Sequence, residues 1–228
     1  MTTPNDQPVD QQPEAGFTPF APRAGMWSDG TGDVSGFSHV VQLPERIQPL
    51  SRPYGGRLDE IIDRLIELVP AVANAPVVGG NDMATIFIPR EHLVAVMYAL
   101  RDDQQLRYEM CSSVSGVHYP DDKDSELHVV YHLLSMTMRH RLRIEVTAPD
   151  GDPHIPSVVA VYPGMNYHER EVWDMFGVIF DGHPGLTRIL MPDDWDGHPQ
   201  RKDYNLGGIP IEFNGADVPP VQERRRYR

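Results

Sequence analysis

The sequence predicts an α+β fold: a small, mostly antiparallel sheet with helices packed on it, an N-terminal arm and a long extended C-terminal tail. Three observations predict it. Apolar residues recur at helical spacing between 57 and 102, and β-branched runs separated by short turns fill 105–149. At both ends periodicity gives way to proline, glycine and polar residues; 22 prolines and 19 glycines are enough to punctuate two irregular segments of this 228-residue chain.

Residues 1–16 are Pro, Gln, Asp and Thr with little to bury, and predict a disordered leader. Residues 17–55 stay rich in Gly and Pro but carry Phe17, Phe20, Trp27, Phe37 and the run HVVQL. Spaced aromatics without periodicity predict an extended arm lying on a surface, its own or a partner's. An α+β domain is expected over 56–180.

That domain begins with GRLDEIIDRLIELVPAV, where Leu58, Ile61, Ile62, Leu65, Ile66, Leu68 and Val69 make one apolar helix face and Pro70 stops it. VVGGND (77–82) has neither the glycine spacing of a dinucleotide fingerprint nor a Walker lysine, and predicts a hairpin-like turn. MATIFIP reads as a short strand. REHLVAVMYALRDD reads as a second helix facing inward through Leu93, Val96, Met97 and Leu100. LRYEMCSSVSGVHYP, ELHVVYHLLSMT and HRLRIEVTAP then predict an antiparallel meander. In the last of these, Leu142, Ile144 and Val146 alternate with Arg141, Arg143, Glu145 and Thr147, the pattern of a sheet with one wet face. SVVAVYPG is either one more strand or the entry to a third helix, MNYHEREVWDMFGV, for which Gly177 is the stop. About fifty aperiodic residues follow. A structureless stretch that long suits a tail that binds other subunits, 181–228, better than part of a compact domain.

Composition narrows the function classes. A net charge of −13 disfavours free nucleic acid as a partner, because phosphate binding needs a basic surface. The one cysteine, Cys111, permits neither an internal disulfide nor a cysteine-ligated cluster held by this chain alone, and suits a reducing compartment. Its strand-like setting predicts a small buried side chain rather than a nucleophile. The first residues lack the basic and apolar regions of a signal peptide. No run of 18 apolar residues occurs, so membrane association is expected through another protein or a surface contact.

The densest chemistry lies in GHPGLTRILMPDDWDGHPQRKDY (182–204) and the helix before it. His168 and Glu169 begin like a zinc-protease helix, but the second histidine position is Val172, so that motif fails. His183 and His198, with Asp193, Asp194 and Asp196, are acceptable ligand types for a divalent metal, as in a metal-dependent hydrolase. The favoured reading is different. Glycine permits unusual φ and the residue before proline is pushed extended, so each Gly-His-Pro predicts a bend in which histidine bonds nearby backbone. Arg170 and Asp174 stand at i, i+4. Val172, Trp173, Met175 and Phe176 spread apolar groups around the same helix, which predicts specific partners for its charges.

EREVWDMFGVIFDGHPGLTRILMPDDWDGHPQRKDY resembles the signature of the 30 kDa subunit (the C-type subunit) of proton-pumping NADH–quinone oxidoreductase, respiratory complex I. The family pattern runs Glu-Arg-Glu, two free positions, an acid, two apolar residues, six free positions and a basic residue. Glu169-Arg170-Glu171, Asp174, Met175-Phe176 and His183 fill it in order, and Arg188-Ile189-Leu190 and the Gly-His-Pro before Arg201-Lys202-Asp203-Tyr204 also match. Thr187, Gln200 and Asn205 depart from the family's usual residues.

The resemblance implies a non-catalytic structural subunit of the peripheral arm, on the cytoplasmic side of the cell membrane. It implies that this chain binds no cofactor, while FMN, iron–sulfur clusters and quinone sit in other subunits. The implied partners are the 49 kDa-like subunit of the quinone site and the cluster-bearing subunits B and I, with no nucleic acid and no direct membrane span. Glu169, Arg170, Glu171 and Asp174 are then expected in buried or interfacial ion pairs, and Trp173 and Phe176 as core anchors. His183, Arg188, Trp195, His198, Arg201, Lys202 and Tyr204 are expected along the contact between subunits. The alternative reading is the equivalent subunit of a related membrane-bound hydrogenase or other-donor dehydrogenase, which the signature alone does not separate and which a flavin-bearing NADH module encoded nearby would discriminate.

Overall fold

The structure, a computed structural model, describes residues 49–79 and 83–204. The leader, most of the arm, the tip of the first hairpin and the end of the tail lie outside the described residues.

Helix α1 (Arg57–Leu68) buries Ile61, Ile62 and Leu65 and ends where Pro70 opens a single 3-10 turn. Strands β1 (Val77–Gly79) and β2 (Ala84–Phe87) pair antiparallel, so the first half of VVGGND, expected as a turn, is strand, and its second half lies outside the described residues. Helix α2 (Leu93–Asp102) turns Leu93, Val96, Met97 and Leu100 into the core, all fully buried. Strands β3 (Met110–His118), β4 (Leu127–Ser135) and β5 (His140–Ala148) form the predicted antiparallel meander. The free edge of β5 accepts β2 in parallel, which gives the order β1-β2-β5-β4-β3. The sheet is therefore mixed, with one parallel pair reached by a crossover through α2, β3 and β4.

One sheet face carries the core. Leu142, Ile144, Val146 and Ala148 of β5 and Leu127, Val129, Tyr131 and Leu133 of β4 are at most 1% exposed and pack in one cluster with α1 and α2. The opposite face is wetter, and within β5 one residue departs from the expected alternation. Glu145 is buried because His128 Nδ1 lies 2.6 Å from its Oε1. Period-2 patterning could not show that, since it assigns a face but not what pairs on it.

SVVAVYPG forms no strand. It runs through a turn and the 3-10 segment Pro163–Met165 straight into α3 (Asn166–Phe176). Two short strands not evident in the sequence, β6 (His154–Pro156) and β7 (Ile179–Asp181), pair in parallel and bracket α3. Helix α3 crosses β3 at Gly116, where any Cβ would collide with the Phe176 ring. Among the described residues no helix is long and apolar enough to cross a membrane.

Candidate functional site

Helix α3 ends at Gly177, which takes φ 82° and returns its N–H to Trp173 O at 2.9 Å. The chain then passes through β7 and wraps back over the helix as the loop 182–204. The aperiodic character expected of this stretch is present, but the loop is pinned to its own domain by α3 side chains and backbone.

Asp174 is the centre of that pinning. It is fully buried; Arg188 Nη1 donates to its Oδ1 at 2.6 Å, and Oδ2 receives the N–H groups of Ile189, Leu190 and Met191 at 3.0, 2.8 and 2.9 Å. Three consecutive amides make a concave cradle for an anion. Burial works against ionising Asp174, but the amides and Arg188 together outweigh it and hold the carboxyl below the usual carboxylate range. Nη2 of Arg188 donates to both Trp195 O and Gly197 O, and its guanidinium lies 5.6 Å from the centre of the Trp173 ring. One arginine thus ties α3 to two further points of the loop.

Arg170 does not pair with Asp174, although the i, i+4 spacing allows it. Its Nε and Nη2 donate to Thr187 O and Arg188 O at 3.0 and 2.9 Å, and it lies over Tyr167. Both contacts are to backbone, as is the bond from Gln200 N to Met175 O at 3.0 Å. Two of the departures from the family pattern, Thr187 and Gln200, therefore fall where the helix grips the main chain and the side chain is free to vary.

Glu169 is also fully buried, yet among the described residues no cation pairs with it. Ser157 Oγ donates to Oε2 at 2.6 Å and Val158 N to Oε1 at 2.7 Å. Burial pushes its pKa up to about 7, only partly offset by these two bonds. Within the chain an ion pair forms at Asp174, and among the described residues none forms at Glu169. Glu171 is exposed and forms no ion pair among the described residues.

The two Gly-His-Pro steps are bends held by histidine–backbone bonds. Gly182 and Gly197 take φ 81° and 85°. His183 Nε2 lies 3.1 Å from Asn166 O while its Nδ1 accepts Gly185 N–H, and His198 Nδ1 lies 3.0 Å from Asp174 O. The His198 ring occupies the space a Cβ on Gly177 would need, 2.7 Å away, and meets the Trp173 ring edge-on. Tyr204 lies in the same way against Gly197 and donates to Asp196 O.

At the end of the loop Arg201 pairs with Asp150, and Lys202 N donates to His118 Nδ1 at 3.1 Å while its ammonium lies over Tyr119. Trp195 is half-buried, with its indole N–H sequestered and without a partner among the described residues. The expected tail residues therefore converge on α3 and the β3 end. His183 and His198 bond separate carbonyls, and among the described residues no group of three His, Cys, Asp or Glu side chains could hold a metal ion. Cys111 is buried and its thiol is pushed up to about 12, mainly by burial. Ser157, His118 and the amides of Ile189–Met191 are site residues the sequence did not point to; amide donors leave no trace in side-chain identity.

Comparison with known proteins agrees with this anatomy. Residues 86–210, which contain α3 and the whole described loop, match the family described as respiratory-chain NADH dehydrogenase, 30 Kd subunit. The C-type subunit of NADH-quinone oxidoreductase from a Nocardioides species is 52% identical over 235 residues, covering 98% of this chain and 94% of that protein. Its counterpart from Streptomyces coelicolor is 55% identical over 202 residues, covering 86% and 80%. A chain of the membrane-bound sulfane sulfur reductase, an archaeal respiratory membrane complex, superposes with a TM-score of 0.56 over 66% of this chain and 87% of its own, a likeness of fold at 22% identity. With its signature helix, its pinned loop and half its residues shared along nearly the full length, the chain belongs to the 30 kDa (C-type) subunit family of respiratory NADH–quinone oxidoreductases.

Proposed function

We propose that this chain is a non-catalytic structural subunit of the peripheral arm of a proton-translocating NADH–quinone oxidoreductase. In this reading it sits on the cytoplasmic side of the cell membrane and supports the quinone-reducing module. It packs against the 49 kDa-like subunit of the quinone site and the cluster-bearing subunits B and I, which hold the redox groups. Electron transfer and its coupling to protons depend on position, and a rigid neighbour supplies position.

The observation that carries this reading is how the signature side chains are spent. Asp174, Arg170, Arg188, His183 and His198 are all engaged in fixing one loop against one helix. A reacting group needs an accessible atom and a proton to exchange, whereas the bonds these side chains make run to backbone and to each other. What they produce is a shaped surface in which Ile189 and Leu190 stay exposed, 38% and 59%, above a fixed main chain. Arginines and aromatics beside exposed apolar groups are the usual ingredients of a contact between subunits.

The test is a tagged pull-down from gently solubilised membranes, scored for NADH–quinone reductase activity and copurifying subunits. Recovery of a large complex containing flavin and iron–sulfur clusters, none bound to this chain, is the expected result. Recovery of a lone protein carrying zinc or manganese would overturn the reading.

A further inference from the structure

The face of the five-stranded sheet that is not covered by α1 and α2 carries an unusual charge arrangement. Arg143 of β5 stands between Thr85 of β2 and His132 of β4, and Arg141 stands beside Leu134, whose own neighbour on β3 is Met110. Arg139 is exposed in the adjoining turn, at φ 56°. Other arginines meet a carboxylate, as Arg64 does with Asp103 and Arg188 with Asp174, or a backbone carbonyl, as Arg57 and Arg170 do. Among the described residues no carboxylate lies in ion-pair range of Arg139, Arg141 or Arg143, on a chain with 33 acidic residues against 20 basic ones.

Arg143 is the sharpest case. It is half-buried, and its Nε is sequestered from water without a hydrogen-bond acceptor among the described residues. The next carboxylate on this face, Glu145, is already bonded to His128. His132, whose Nδ1 lies 3.1 Å from Ser113 Oγ, is held toward its neutral form by burial first and by Arg143 second, and an imidazole has no negative charge to offer. A guanidinium nitrogen that has lost water and gained no acceptor carries a cost, and the rest of the charged group stays open to an anion. Met110, 43% exposed, and the partly buried Leu134 give the same patch an adaptable apolar floor, with Met136, 61% exposed, in the turn beside it.

We propose that this open sheet face docks an acidic segment of a neighbouring subunit, with its carboxylates on Arg141 and Arg143 and its apolar flank on Met110 and Leu134. The proposal rests on the chain working inside a multi-subunit assembly, as proposed above. Charge complementarity selects the occupant. A local positive patch on a chain of net charge −13 suits a short acidic protein segment, whereas an extended polyanion or an anionic membrane meets repulsion from the rest of the surface.

The test uses the intact assembly. Arg141→Lys and Arg143→Lys keep the charge and introduce an amine that zero-length carbodiimide chemistry can join to a touching carboxylate. A cross-link from either lysine to an Asp or Glu of another subunit is expected. The double change Arg141→Glu with Arg143→Glu should reduce recovery of that subunit about tenfold at low salt, with less effect at high salt. Circular dichroism of the full chain checks that this double variant folds, and the lysine variants keep the test alive if it does not. A cross-link confined to residues 1–48 or 205–228 of the same chain would overturn the proposal, since the occupant would then be this chain's own segment. So would binding of the full chain to anionic lipid vesicles that the charge reversal abolishes, or unchanged assembly in the double variant. If the unaltered chain copurifies with no other subunit, the functional reading falls and takes this proposal with it; normal copurification without a cross-link defeats this proposal alone.

Discussion

Asp174 and Arg188 lie fourteen residues apart and 2.6 Å from each other, and the second oxygen of the same carboxylate gathers the next three amides of the loop. A single buried carboxylate therefore closes the wrap between α3 and the chain that follows it.

Removing that charge should release the loop. Asp174→Asn leaves Arg188 without its counter-charge and sets an amide NH₂ against backbone donors, so destabilisation of about 3 kcal/mol is expected. Denaturant unfolding of the full chain measures it, and protease sensitivity should rise within 186–200. Because the folded-state pKa of Asp174 is lowered, its contribution is present above the unfolded carboxylate value and lost as pH falls through the folded one. The acid limb of the unfolding curve should flatten in the variant; an unchanged limb would count against this account.

Glu169 works in the other direction. Its pKa is raised to about 7, so the neutral acid is the form the fold prefers. Its contribution is complete below the unfolded carboxylate value and is lost as pH rises from there through about 7. Glu169→Gln keeps the shape and removes the titration. Between mildly acidic and mildly alkaline pH the native chain should lose on the order of 3 kcal/mol that the variant retains. Thermal unfolding across that range, with an infrared carboxyl band present in the native chain and absent in the variant, tests both parts.

Gly177 should tolerate no side chain. Its φ of 82° strains any L-residue, and a Cβ there would stand 2.7 Å from the His198 ring. Gly177→Ala is expected to cost about 1–3 kcal/mol. Adding His198→Ala should recover the steric share and leave the conformational share, a coupling that a double-mutant cycle reads directly.

Arg170→Glu turns a donor into an acceptor facing the carbonyls of Thr187 and Arg188. Assembly of the complex is expected to fall while the spectra of flavin and clusters in the remaining subcomplexes stay normal. Normal assembly and activity in this variant would defeat the idea that the loop surface is a docking element.

Much of this was legible from residue order alone. The faces of α1 and α2, the three-strand meander and the Gly177 stop follow from periodicity and from glycine's access to positive φ, which are local properties. The Gly-His-Pro bends were readable for the same reason. Strands β6 and β7 were not, because three-residue strands carry no period and exist only once α3 brings their ends together. Arg170 looked like the partner of Asp174 because helical spacing is visible in sequence, whereas a cradle of amides arriving from residues 189–191 is not.

Fold class, family and the charged and histidine residues of the signature follow from residue order, since each depends on which side chains occur and at what spacing. Only the tertiary structure decided what those residues hold. It gave Asp174 a cation and three amides, left Glu169 buried without a cation, and set Arg141 and Arg143 on an open sheet face without a carboxylate among the described residues. Burial and partner choice depend on which backbone groups a distant segment brings, and those groups are the same in every residue.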